Sequence, residues 1–262
     1  MNDTPARPTD GLRFAFGTLT VLPVTVTRWD RRAARGGMLC APLAGLVVAL
    51  AAAALGAVLL ALGASALVAA VATVAVPAAL TRGLHLDGLA DVADGLGSGK
   101  DADGALRVMK QSDIGPFGVL TLVLVLLAQI AVVAQLYADS WARGAVGFAV
   151  THAAARTALT LAARRGVPAA RPDGLGAAVA GVVPVRYAAG TGALTVLLAT
   201  VAGALFGPYG ALQHGSAVLL GLGASELLLR RCRRRFGGVT GDVFGALAEV
   251  SLTVGLFVLT LG

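Results

Sequence analysis

Seven long apolar runs, separated by short polar connectors, dominate this chain and leave few folds open to it. They are Met38–Leu62, Ala64–Leu80, Pro116–Tyr137, Ser140–Ala163, Tyr187–Gly207, Ala211–Leu229 and Val243–Leu261. Each is close to the ~20 apolar residues that a helix needs to cross a bilayer. An eighth run, Phe14–Val26, is short and broken by Pro23, which predicts an interfacial or re-entrant segment. Composition removes the soluble alternative. The 262 residues are 57% hydrophobic and only 13% charged, with a mean hydropathy of +0.82. A soluble domain is about a quarter charged. This chain lacks the charge to cover such a surface, so its apolar excess must face lipid. The expected fold is all-α, a polytopic integral membrane bundle of about seven transmembrane helices, within a range of about six to eight.

The 35 glycines and the abundant alanine fit that fold, because small residues let helix backbones approach in a membrane. No internal repeat or low-complexity linker divides residues 1–262, which read as a single transmembrane catalytic domain. Met1–Gly11 has mixed charge and no apolar core behind a basic stretch, so no cleavable signal peptide is expected. Cys40 and Cys232 have no metal-ligand spacing and read as free thiols.

The net charge of +7 would suggest nucleic acid in a soluble protein, but here the basic residues follow the topology. Arg7, Arg13, Arg28, Arg31, Arg32 and Arg35 precede the first long run. The connectors after the second, fourth and sixth runs hold Arg82, Lys100, Arg107 and Lys110, then Arg164, Arg165, Arg171 and Arg186, then Arg230, Arg231, Arg233, Arg234 and Arg235. A cytoplasmic N-terminus places all of these inside. Arg143 alone falls outside, and Arg156 alone falls deep in a span. The outer connectors are very short, so the working parts should face the cytoplasm, with a catalytic loop at about residues 82–115.

That loop opens with an acidic segment, Leu84–His85–Leu86–Asp87–Gly88–Leu89–Ala90–Asp91–Val92–Ala93–Asp94–Gly95. Asp87, Asp91 and Asp94, at i, i+4 and i+7, share one helical face. Three anions on one face repel one another, and a divalent cation relieves the repulsion while gaining oxygen ligands. A carboxylate at the centre of a span costs ~2.5–3.5 kcal/mol, so these residues belong at the membrane surface or in a wet cleft. A solvated acidic loop is the competing reading, and it suits Asp101 and Asp103, which sit among Gly, Ser and Lys. Mg²⁺ is the expected metal, since it takes few carboxylates and shares its other sites with phosphates. Zinc lacks soft ligands here. His85 is a candidate phosphate contact or base, or a residue of the interface.

Further on, Arg107 and Lys110 are candidates for grounding a phosphate, unless they serve only the topology. The segment Phe236–Gly237–Gly238–Val239–Thr240–Gly241–Asp242 precedes the last run. Its glycines would let backbone N–H groups approach an anion, and Asp242 is either a metal ligand or a helix cap. Glu249, alone in an apolar run, must face the bundle interior with a partner. Arg156, with His152 at i−4, is the basic counterpart, expected to neutralise a carboxylate or bind a phosphate at the cleft floor.

Residues His85–Leu86–Asp87–Gly88–Leu89–Ala90–Asp91 and Asp94–Gly95 resemble the signature of the cobalamin synthase family, the adenosylcobinamide-GDP ribazoletransferases. The likeness continues through Met109–Lys110, Ser112, Ile114–Gly115 and Gly118, and recurs at Gly237–Gly238, Thr240–Gly241–Asp242, Gly245–Ala246 and Glu249. Weaker likeness appears at Leu22–Pro23, Pro42–Leu43–Ala44–Gly45, Arg156, Ala170–Arg171 and Gly174–Leu175–Gly176, so it spans nearly the whole chain. Gln111 and Asp113 alter the acidic-then-basic order the family usually places around Ser112, and Leu252 stands where the family tends to carry a second Glu.

The resemblance implies a Mg²⁺-dependent enzyme of the bacterial inner membrane. Such an enzyme transfers phosphocobinamide from adenosylcobinamide-GDP to α-ribazole, or to its 5′-phosphate, and releases GMP. From the residues' own chemistry, catalytic roles are expected of Asp87, Asp91, Asp94 and His85, and metal ligation of Asp87, Asp91, Asp94 and Asp242. Substrate or phosphate contacts fall to Arg107, Lys110, Ser112, Arg156, Gly237, Gly238, Thr240, Gly241 and Glu249. The 5′-hydroxyl of α-ribazole is the expected nucleophile, with an Asp or His85 taking its proton. The expected partners are those two substrates and the lipid bilayer, with no nucleic acid and with room for a homo-oligomer. A CDP-alcohol phosphotransferase also sets aspartates on such helices, but its Ala-Arg and its longer interval to further Asp are missing here. A transporter would need paired broken helices or repeats, which the chain lacks.

Overall fold

A computed structural model describes residues 7–261, so the part of the signal-peptide expectation that rests on residues 1–6 lies outside the described residues. In chain order the helices are α1 (Pro8–Leu19), α2 (Arg31–Ala61), α3 (Ala66–Leu80), α4 (Leu84–Gly97), α5 (Ala102–Val108), α6 (Pro116–Asp139), α7 (Trp141–Ala162), α8 (Gly174–Val179), α9 (Val185–Gly203), α10 (Gly207–Phe236) and α11 (Gly241–Val258). Among the described residues there is no strand, only two isolated β-bridges.

All seven apolar runs are helical. By length and hydropathy four stretches can cross a membrane, or five if α3 and α4 form one broken span. This count is lower than the seven expected. One reason is that α9 and α10 are counted as one stretch, Val185–Phe236, although they pack on each other with Gly203 against Gly210. The other is that α3 has only 15 residues, and α7 carries Arg143 and Arg156. The run Phe14–Val26 is not one continuous helix, and it is not among the stretches that can cross a membrane. Its first residues belong to α1, which packs Gly11 on Gly36 and Phe14 on Gly37 of α2, and residues 21–30 are not helical.

Polar and apolar faces divide as lipid demands. Leu50 and Val58 of α2, Leu124 and Leu127 of α6, Leu197 and Leu198 of α9, and Leu219 and Leu220 of α10 are exposed. Inward faces carry small residues and a few satisfied polar pairs, such as Thr73 with Tyr137 at 3.0 Å in the space that Gly56 leaves.

The expected catalytic loop is mostly helix, holding α4 and α5. Between α3 and α4 the chain bends by 87°. Two consecutive left-handed residues make the turn, Arg82 at φ 53° and Gly83 at φ 68°. Glycine takes that conformation freely, whereas Arg82 bears a cost of about 1–2 kcal/mol. The bend lays α4 across the N-terminal ends of α6 and α11. Gly88 meets the Asp242 backbone, Gly245 meets the His85 backbone, and Gly118 meets Ala90.

Candidate active site

The crossing of α4 over α11 builds the site. A Cβ on Gly88 would lie 2.6 Å from the Asp242 carbonyl oxygen, and one on Gly245 would lie 3.0 Å from that of His85. Glycine at both positions therefore brings the Asp-Gly step of α4 onto the first turn of α11. Asp87, Asp91 and Asp242 come close together as a result. Asp91 sits half-buried, and loss of water, followed by the nearby charges of Asp242, Asp87 and Asp94, pushes its carboxyl up to about 7.

A cavity of about 300 Å³ opens beside Asp87 and Asp242; Asp91 packs next to them but does not line it. His85, Asp87, Lys110, Arg171, Thr240, Gly241 and Asp242 form its polar wall, and Leu19, Met38, Leu159, Val179 and Phe244 its apolar wall. Thr240 caps α11 by accepting from the Val243 N–H at 3.2 Å, and it donates to Asp242 at 3.1 Å. Arg171 reaches Asp242 at 3.9 Å and donates to the Leu106 carbonyl, tying the α7–α8 connector to α5.

Several expected site residues lie elsewhere. Asp94 is buried, and both its oxygens are used: one accepts from the Gly115 N–H at 2.8 Å, the other from the Gly118 N–H at 3.0 Å. It caps α6 from a distance, because the N-cap residue Gly115 has no side chain to do so. Arg107 and Ser112 are exposed and do not line the cavity. Gly237 ends α10 in the left-handed region at φ 79°, and Gly238 packs against residues 168–170, where Val239 exchanges backbone hydrogen bonds with Pro168 and Ala170. Neither glycine reaches the cavity; of the glycine-rich segment, Thr240 and Gly241 do. Arg156 and Glu249 also lie off the cavity, in a buried polar group behind it. Arg156 points a guanidinium N–H at His85 Nδ1, 3.3 Å away, and Glu249 accepts from Gln129 at 3.0 Å.

Arg171 and Asp173 line the cavity but were not singled out from the sequence. The signal for them was the likeness at Ala170–Arg171 and Gly174–Leu175–Gly176. Taken alone, an arginine in that connector reads as topology.

Among the described residues no three Asp, Glu, His or Cys side chains converge tightly enough to hold an ion as they stand. A closed protein cage of the zinc type is therefore not built here. Asp87, Asp91 and Asp242 are a loose, all-oxygen, mutually repelling set. That chemistry fits a hard ion that keeps water and completes its shell with phosphate oxygens.

The model for cobalamin-5-phosphate synthase matches residues 11–260. The chain belongs to this family. Among its relatives are three proteins named adenosylcobinamide-GDP ribazoletransferase. That of Frankia casuarinae is 42% identical, over 95% of this chain and 94% of its own length. That of a Nocardioides species is 41% identical, over 94% and 96%. That of Bradyrhizobium diazoefficiens is 38% identical, over 94% and 92%. No solved structure gave a significant match to the chain. Family membership sets aside the CDP-alcohol phosphotransferase and transporter readings.

Proposed function

We propose that the chain transfers phosphocobinamide from adenosylcobinamide-GDP to α-ribazole or its 5′-phosphate, releasing GMP. The observation that carries this reading is the two-sided cavity. Its polar wall suits a diphosphate, and its apolar wall, from Leu19 to Phe244, suits a planar, weakly polar base.

A ribose hydroxyl of the acceptor attacks the phosphorus attached to cobinamide. The bond from that phosphorus to the bridging oxygen breaks, and GMP leaves with the electron pair. The nucleophile expected from the sequence is revised for one of the two acceptors. In α-ribazole 5′-phosphate the 5′ oxygen already carries phosphate, so another ribose hydroxyl attacks when that is the acceptor. Lys110 and Arg171 offset charge on the leaving phosphate, and a carboxylate of the site takes the hydroxyl proton. Asp87, Asp91 and Asp242 would hold Mg²⁺, which supplies Lewis-acid stabilisation of the phosphate oxygens when bound. His85 is not the base in this scheme, because its Nδ1 lone pair faces an arginine that only donates.

The cavity is framed by the start of α2, by α4, by the end of α7 and by the start of α11, beside the arginine-rich connectors. The positive-inside bias then orients it to the cytoplasm of a bacterial inner membrane. The test is purified protein in lipid nanodiscs with adenosylcobinamide-GDP, α-ribazole and Mg²⁺. GMP release that requires all three supports the reading. Release that ignores the acceptor, or no release from folded protein with either α-ribazole or its 5′-phosphate, rejects it.

A further inference from the structure

Arg156 is buried in α7, a position where a cation needs a reason. It does not touch the cavity. One guanidinium nitrogen lies 3.3 Å from His85 Nδ1, while NH1 is sealed from solvent with no protein partner. Gly45 of α2 leaves the room its stem occupies. Behind it lies a second cavity of about 20 Å³, lined by Gln129, His152, Arg156 and Glu249. That is room for one water. Glu249 is fixed from its far side by Gln129, which also donates to Thr253 at 3.0 Å.

Arginine has five donors and no acceptor. At Nδ1 the His85 ring must therefore present a lone pair, and its proton sits on Nε2. His85 lines the active cavity, and its Nε2 makes no hydrogen bond with a described residue while remaining open to one. We infer that Arg156, which shares its small buried cavity with Glu249, is a positioning residue that fixes His85 as an Nε2–H donor aimed into the active cavity. The ligand for that donor is an anionic phosphate oxygen of the substrate. The ligand and the kinetic arm rest on the proposed function; the tautomer arm does not.

The chain has three histidines, so ¹⁵N-histidine labelling in nanodiscs yields three rings to resolve. His85→Gln assigns the His85 signals. The wild-type ring should be a single neutral tautomer protonated at Nε2. Arg156→Met keeps the stem and removes the donors; it should release His85 into a tautomer mixture. In the same variant kcat should fall at least about tenfold with KM little changed, as for a contact made mainly in the transition state. Arg156→Lys should restore part of both signals. Should Arg156→Met fail to fold, Glu249→Gln gives a weaker shift in the same direction. A wild-type His85 protonated at Nδ1, or a tautomer indifferent to folded Arg156→Met, overturns the relay whatever the GMP assay shows.

Discussion

Asp91 and Asp94 sit one turn apart on the same face of α4, yet the fold uses them in opposite ways. Asp91 is half-buried beside two other carboxylates and has no hydrogen-bond donor among the described residues. Asp94 is buried and holds two backbone N–H groups of the α6 start. Spacing alone reads them as members of one ligand set. Donor accounting separates them. A carboxylate that takes one backbone N–H on each oxygen serves as a helix cap, while one left without donors among like charges gains most from a cation.

The largest effects should fall on the unsaturated set. Asp87→Asn and Asp242→Asn should each lower GMP release at least about 100-fold, the scale of losing one charge-stabilising contact at the reacting centre. Melting temperature should hold or rise in Asp87→Asn, which relieves repulsion, and change little in Asp242→Asn, where that relief is offset by a weaker contact with Arg171. Asp94→Ala should do the reverse, leaving the Gly115 and Gly118 N–H groups unpaired at a cost of about 1–3 kcal/mol in thermal unfolding. An Asp94→Ala protein with unchanged melting temperature and no turnover would erase the distinction and return Asp94 to the ligand set.

The same accounting separates the glycines. Gly88→Ala puts a methyl 2.6 Å from the Asp242 carbonyl and must push α4 off α11, at about 1–3 kcal/mol and with loss of most turnover. Gly241→Ala meets no atom within 4 Å and should fold normally, so any activity change there reports on the cavity itself. Equal melting temperatures for the two variants would show that the helix crossing is looser than described.

Much of this was legible in the chain because lipid imposes a simple rule: apolar runs become helices. The α4–α11 pairing was legible only as two separate motifs, since nothing local says that Gly88 will touch Asp242. The sharp turn at Arg82 was hidden, because hydropathy carries no sign of a left-handed non-glycine residue. The Asp94 partners lie 21 and 24 residues away, beyond any helical spacing argument. Arg156 and Glu249 were read correctly as interior charges needing partners. Their distance from the cavity depended on how α7 and α11 rotate, which α7 conceals by being buried on nearly all sides.

Asp91 also makes the contrast sensitive to pH. Its carboxyl is held at about 7, so below that it is protonated and must lose a proton to ligate a metal. Mg²⁺ affinity, read by titration calorimetry, should therefore strengthen as pH rises through about 7, by up to about tenfold per unit on the acid side. Asp91→Asn should abolish that slope. A slope that persists in the variant would move the titrating group elsewhere.

The smallest effects are expected where the sequence points to a phosphate contact but the structure shows none with the cavity. Arg107 and Ser112 are exposed on and after α5, and neither lines the cavity that Lys110 enters. Arg107→Ala and Ser112→Ala should leave stability within about 0.5 kcal/mol of the parent, as surface changes do. Their KM for adenosylcobinamide-GDP should match the parent, while Lys110→Ala raises it. A KM rise in Arg107→Ala equal to that of Lys110→Ala would mean that α5 turns inward when substrate binds. The polar wall would then extend beyond the residues that line the cavity at rest.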